Sequence, residues 1–120
     1  MKGLYNGRDT LDVYIMKHVL KTKKPNYKDL CKLKIYNRLY TDEIPDFIAK
    51  YHPSYDVDGM KVFKCRWMYF NTAKEIVSEC GLNSRDDIKV HLHIFRVDFS
   101  IALDKALESG DYDHIVGKQH

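Results

Sequence analysis

Apolar residues recur at helical spacing along most of this chain, and the longest such runs lie in its second half. Between residues 60 and 80, Val62, Phe63, Cys65, Trp67, Tyr69, Phe70, Ala73, Ile76, Val77 and Cys80 fall in one wide sector of a helical wheel. Lys61, Lys64, Asn71, Glu75 and Glu79 fill the complementary sector, and Gly81 supplies a C-terminal stop. One long helix over 60–80 is the expectation. Its rival is a strand over Val62–Phe70, followed by a shorter helix with Thr72 and Glu75 as its capping box.

A second long helix, about 85–108, is predicted after Ser84, with Asp86 and Asp87 in its first turn and Gly110 beyond its end. Ile88, Leu92, Phe95, Phe99, Ala102 and Ala106 are spaced as a heptad seam. Val90, Ile94, Val97 and Ile101 form a second stripe on the opposite side, about 180° away. A helix with two opposed apolar stripes either runs through the middle of the fold or offers one stripe to a partner. The second stripe is therefore a candidate interface, for a homodimer or for another protein with an apolar surface.

The first half carries shorter signals. Thr10–Thr22 reads as a helix with Asp9 or Thr10 as its cap, ended by Pro25. Residues 31–40 are ambiguous: Cys31, Leu33, Ile35 and Leu39 alternate with Lys32, Lys34, Tyr36 and Arg38, a strand period, while the context favours helix. A short helix capped by Thr41 or Asp42 tolerates Pro45 in its first turn and stops at His52-Pro53. The fold class expected is mainly α, a compact single-domain helical bundle built on the two long helices. The alternative is α+β, with strands near 31–40, 62–70 and 88–99.

Composition narrows this further. At 120 residues, 44% hydrophobic and 31% charged, the chain suits one globular domain and is too apolar for a disordered one. No apolar run reaches the ~18 residues of a membrane span, and Met1 to Thr10 contain no apolar signal core. Three widely spaced cysteines, Cys31, Cys65 and Cys80, suit reduced thiols in the cytoplasm or another reducing intracellular compartment.

Charge changes the picture more. The formal net charge is +3, yet from Lys17 to Arg38 there are eight cations against one anion, Asp29, a local net of +7. Such a block calls for a counter-charge, and nucleic acid phosphate is the obvious external source. Lys17, Lys21, Lys24, Lys28, Lys32, Lys34 and Arg38 are the candidate phosphate contacts, and Tyr36 among them is a candidate for stacking on unpaired bases. A solvated lysine face, or a surface for an acidic protein partner, explains the same run. The acidic positions Asp104, Glu108, Asp111 and Asp113 read as a solvated end.

Candidate chemistry is sparse. Residues 72–82 followed by the Ser84 helix have the layout of a helix-turn-helix, but Asp86 and Asp87 at the start of the second helix would repel phosphate. His91-Leu92-His93 is a His-hydrophobic-His triplet; on a strand both imidazoles could hold one metal, with Tyr112 as the nucleophile of a single-strand endonuclease. On a helix the two rings diverge by about 200° and the shared site is lost. The cysteines have no CxxC spacing, and no Gly-rich phosphate loop exists. No cofactor is expected. The expected function is a non-catalytic binding module, a small basic nucleic-acid-associated protein using the 17–38 cluster, with a protein-binding adaptor or inhibitor as the alternative.

Overall fold

The computed structural model describes residues 7–19 and 26–117, with the side chains of 17–19 outside the description. Seven α-helices and no strand are found among the described residues: α1 Gly7–Val19, α2 Tyr27–Asn37, α3 Ile44–Tyr51, α4 Val57–Phe63, α5 Ala73–Cys80, α6 Asp86–Ser109 and α7 Asp113–Val116. The protein is a mainly α-helical bundle. The strands conceived near 31–40, 62–70 and 88–99 do not form.

α6 is the axis on which the other helices pack, α4 and α3 most closely, with α2, α1 and α5 around them. It buries Leu92, Phe95, Phe99, Ala102, Leu103 and Ala106, the heptad seam shifted by little. Burial of this face favours folding, since each fully buried large apolar side chain contributes about 1.5–3 kcal/mol. Phe95 lies at its centre, stacked on Phe63 of α4 with centroids 4.3 Å apart and planes 12° from parallel. Gly59 permits this approach: a Cβ there would stand 3.0 Å from the His91 carbonyl oxygen and 3.2 Å from the Phe95 nitrogen.

The long helix expected over 60–80 is broken into two. α4 runs into a π-helical segment, Lys64–Met68, in which Tyr69 N–H donates to the Lys64 carbonyl at 2.8 Å. The wider turn adds a residue per turn and shifts the register, keeping Cys65 and Trp67 buried while Tyr69 and Phe70 emerge at the surface. Phe70 then adopts φ +57°, a left-handed conformation that costs a bulky residue roughly 1–2 kcal/mol and ends the helix. The chain restarts at Thr72, whose hydroxyl accepts from Glu75 N–H at 3.2 Å while the Glu75 carboxylate accepts from Thr72 N–H at 2.7 Å. That is the capping box of the shorter helix, and the hydrogen bond from the Thr72 backbone holds the Glu75 carboxyl below its usual pKa.

α1 begins three residues before its expected start. Thr10 does not cap it; its hydroxyl donates to the Gly7 carbonyl and accepts the Trp67 indole N–H at 2.9 Å. Pro45 does sit in the first turn of α3, preceded by a 3-10 turn over Thr41–Glu43. α3 ends at His52, whose Nε2 lies 3.0 Å from Asp98 of α6. The other Asp98 oxygen accepts from Asp56 N–H at 2.8 Å, so one carboxylate anchors the α3–α4 connection to the central helix.

Candidate nucleic-acid interface

The cationic run centres on α2. Asn26 starts the helix by accepting from Asp29 N–H at 2.8 Å. Its inner side buries Cys31, Lys32, Ile35 and Tyr36, while Tyr27, Leu30, Lys34, Asn37 and the capping Arg38 are exposed. These positions fit one helix wheel, with buried residues in pairs one turn apart. The strand-like alternation in the sequence came from counting Lys32 and Tyr36 as outward polar residues.

Both turn inward, which corrects their assignment to the phosphate surface. Lys32 is 6% exposed; its ammonium donates to Ser100 Oγ at 2.6 Å and stands 3.1 Å from Asp104 Oδ1. A buried ammonium needs both a hydrogen-bond partner and a counter-charge, and α6 provides them. Tyr36 is 1% exposed, edge-on to Phe99 with centroids 5.7 Å apart. Its hydroxyl donates to Asp12 Oδ1 at 2.6 Å, and burial, reinforced by that hydrogen bond, pushes its pKa well up. It has no free face for a base.

Arg8, which sequence reasoning passed over, completes this arrangement. Its guanidinium lies 4.4 Å from the Tyr36 ring centroid, donates to Asp12 at 2.8 Å, and donates to the Leu39 and Tyr36 carbonyls at 2.8 and 3.2 Å. One side chain from α1 thus satisfies carbonyls left over at the end of α2. The Asp12 pair at four residues' spacing is the only local signal, because the carbonyl partners are 28 and 31 residues away.

The remaining cations differ in exposure. Lys28 is 52% exposed and 3.5 Å from Asp104, which it shares with Lys32. Lys34 and Arg38 are exposed and form no ion pair with a described residue. Tyr27 is 57% exposed, with its hydroxyl donating to the Val116 carbonyl of α7 at 3.1 Å. Lys21 and Lys24 lie outside the described residues, as does the side chain of Lys17. Part of the counter-charge expected from a polyanion is therefore internal, since Asp104 serves two lysines at once.

Beside Lys28 opens a groove of about 390 Å³ lined by Tyr27, Lys28, Leu107, Glu108, Gly110 and Asp113. Two carboxylates against one ammonium make it unsuited to phosphate. The acidic end is not wholly solvated either: Asp111 accepts from the Tyr51 hydroxyl at 2.7 Å, and this bond lowers its pKa.

The second stripe of α6 stays outside the buried core. Val90 is 56% exposed, and Ile94, Val97 and Ile101 are half-buried. The strand on which the two histidines would share one metal does not form. His91 and His93 sit on α6, one half-buried and one exposed, on diverging faces. Tyr112 packs between Phe47, Tyr51 and His114 beyond the far end of that helix, which alone extends about 24 Å past His93. Among the described residues no group of three or more His, Cys, Asp or Glu is arranged to hold a metal. Among the same residues no helix is long and apolar enough to cross a membrane. Comparison with known proteins finds no family model, no curated protein and no solved structure that this chain matches.

Proposed function

We propose that this protein is a non-catalytic binding module that holds nucleic acid by its phosphates across the outward face of α2. The supporting observation is the uncompensated charge there: Lys34 and Arg38 are exposed without an ion pair to any described residue. Tyr27, exposed on the same face and tethered through its hydroxyl, offers a ring on which an unpaired base can stack. Recognition of this kind reads the backbone and not the bases, so it is expected to be indifferent to sequence.

The test is an electrophoretic shift with single- and double-stranded DNA and RNA at ~50 and ~200 mM salt. Binding is expected at the lower salt and much weaker at the higher. Lys34→Gln with Arg38→Gln should lower the slope of log K against log salt by about 1.4 on single strands, near 0.7 for each phosphate no longer neutralised. No shift at the lower salt, or a double variant that binds as the parent does, would refute the proposal.

A protein-binding adaptor is the second reading, favoured by the stripe Val90, Ile94, Val97 and Ile101 outside the core. Four partly exposed side chains fall well short of the ~800 Å² per partner of a standard interface. A homodimer through this stripe therefore needs further surface. Association that persists at high salt and is lost in Val90→Lys would support it.

A further inference from the structure

Cys65 and Cys80 are 15 residues apart in the chain, yet their sulfurs are 3.8 Å apart. Cys65 is buried in the π-helical segment, whereas Cys80 is the last residue of α5 and half-buried, so the two differ in access to solvent. Cys31, the third cysteine, is buried on α2. We propose that Cys65 and Cys80 form an oxidative modification site, in which a hydroperoxide closes the pair into an intramolecular disulfide joining the π-helical segment to the end of α5.

The chemistry balances with hydrogen peroxide as the oxidant. The Cys80 thiolate attacks one peroxide oxygen, the O–O bond breaks, and the departing hydroxide takes a proton to leave as water, giving a sulfenic acid. Cys65 sulfur then attacks the sulfenyl sulfur. The S–O bond breaks, the S–S bond forms, and the Cys65 proton leaves with the hydroxyl as a second water. Two thiols are oxidised and one peroxide is reduced to two waters.

Closure to a bond length near 2.05 Å requires roughly 1.8 Å of approach. The chain between the two elements is suited to give it. Tyr69 and Phe70 lie outside both helices and are exposed, and Phe70 already holds a left-handed conformation. The buried face of α6 need not move. Burial and the hydrogen bond with Cys65 push the Cys80 thiol up to about 11; Lys61 on α4 opposes this and Glu79 on α5 adds to it. The first step is therefore slow at neutral pH and should accelerate about tenfold per pH unit as the thiolate fraction grows.

The full reduced chain would be treated with hydrogen peroxide at neutral pH and at about two pH units above it, followed by thiol counting, intact mass and peptide mapping. The expected result is loss of two of three thiols, loss of two hydrogens in mass, a Cys65–Cys80 cross-linked peptide and reversal by dithiothreitol. Tm should rise by roughly 10–15 °C, from cross-linking a 15-residue loop. Cys31→Ser should behave as the parent, whereas Cys65→Ser should leave a sulfenic acid on Cys80 that dimedone traps. Phenylarsine oxide, which bridges two neighbouring thiols, should block Cys65 and Cys80 together without any oxidant. The proposal is overturned if Cys80 goes on to the sulfinic acid without cross-linking, if disulfides form only between molecules, or if the arsenical fails to bridge the pair.

Discussion

Lys32 is the residue on which the phosphate surface and the protein interior make opposite claims, and removing its counter-charge separates them. Asp104→Ala leaves the Lys32 ammonium, 6% exposed, with Ser100 Oγ as its remaining partner. Stripping one partner from a fully buried ion pair costs about 3–5 kcal/mol. Asp104 is itself 31% exposed at its side chain, so water can follow into the gap and the expected loss is nearer 2–3 kcal/mol. Lys32→Met is milder. It fills most of the same volume, and the carboxylate left behind keeps Lys28 at 3.5 Å, so a loss of about 1 kcal/mol or less is expected. The asymmetry is the diagnostic feature. Urea denaturation with an m-value near 2 kcal/mol/M would lower the midpoint by about 1–1.5 M for Asp104→Ala and by no more than ~0.5 M for Lys32→Met. Nucleic-acid affinity of folded Lys32→Met should match the parent. Two equal midpoints, or a Lys32→Met variant that is stable but binds weakly, would refute the placing of this ammonium inside the protein.

Three further outcomes follow from the packing. Burial and the Asp12 hydrogen bond raise the pKa of Tyr36, so its protonated form stabilises the fold fully below the ordinary tyrosine value of 10.0, and that stability falls as pH rises above it. Tyr36→Phe should lower stability at neutral pH by about 1 kcal/mol yet flatten the alkaline decline, measured by denaturation across pH with tyrosinate absorbance. An unchanged alkaline profile would count against the buried hydroxyl. Gly59→Ala sets a Cβ against backbone of α6, which cannot rotate away; strain of about 1–3 kcal/mol outweighs a helix-propensity gain of up to ~1 kcal/mol, and a lower Tm is expected. A higher Tm would mean that α4 does not approach α6 so closely. Val90→Lys should fold with stability within about 0.5 kcal/mol of the parent, because Val90 is exposed, and outright unfolding would show the stripe to be core.

The hydropathy pattern of the chain was enough to recover α6. Its seam repeats in every turn, and a 24-residue helix averages over any single misleading residue. The stop at Gly110, the Thr72–Glu75 capping box and the Pro45 start of α3 were also legible, because each depends on residues within four positions of one another. The excess of positive charge between Lys17 and Arg38 was equally a property of the sequence.

What the charges and thiols face was decided by the tertiary structure alone. Lys32 and Tyr36 are polar by type, and only carboxylates on other helices, Asp104 at 72 residues from Lys32 and Asp12 at 24 from Tyr36, make their burial favourable. The break in the 60–80 helix has a similar origin. Its wheel pattern is continuous, but packing Trp67 onto Thr10 and Tyr14 of α1 while Ile76 stays in the core accompanies a change of register that periodicity does not show. That same break brings Cys80 beside Cys65, two thiols whose spacing matches no motif. Local interactions over three or four residues shaped the helices; long-range contacts, apolar seams together with the polar pairs they bury, chose which of their faces met.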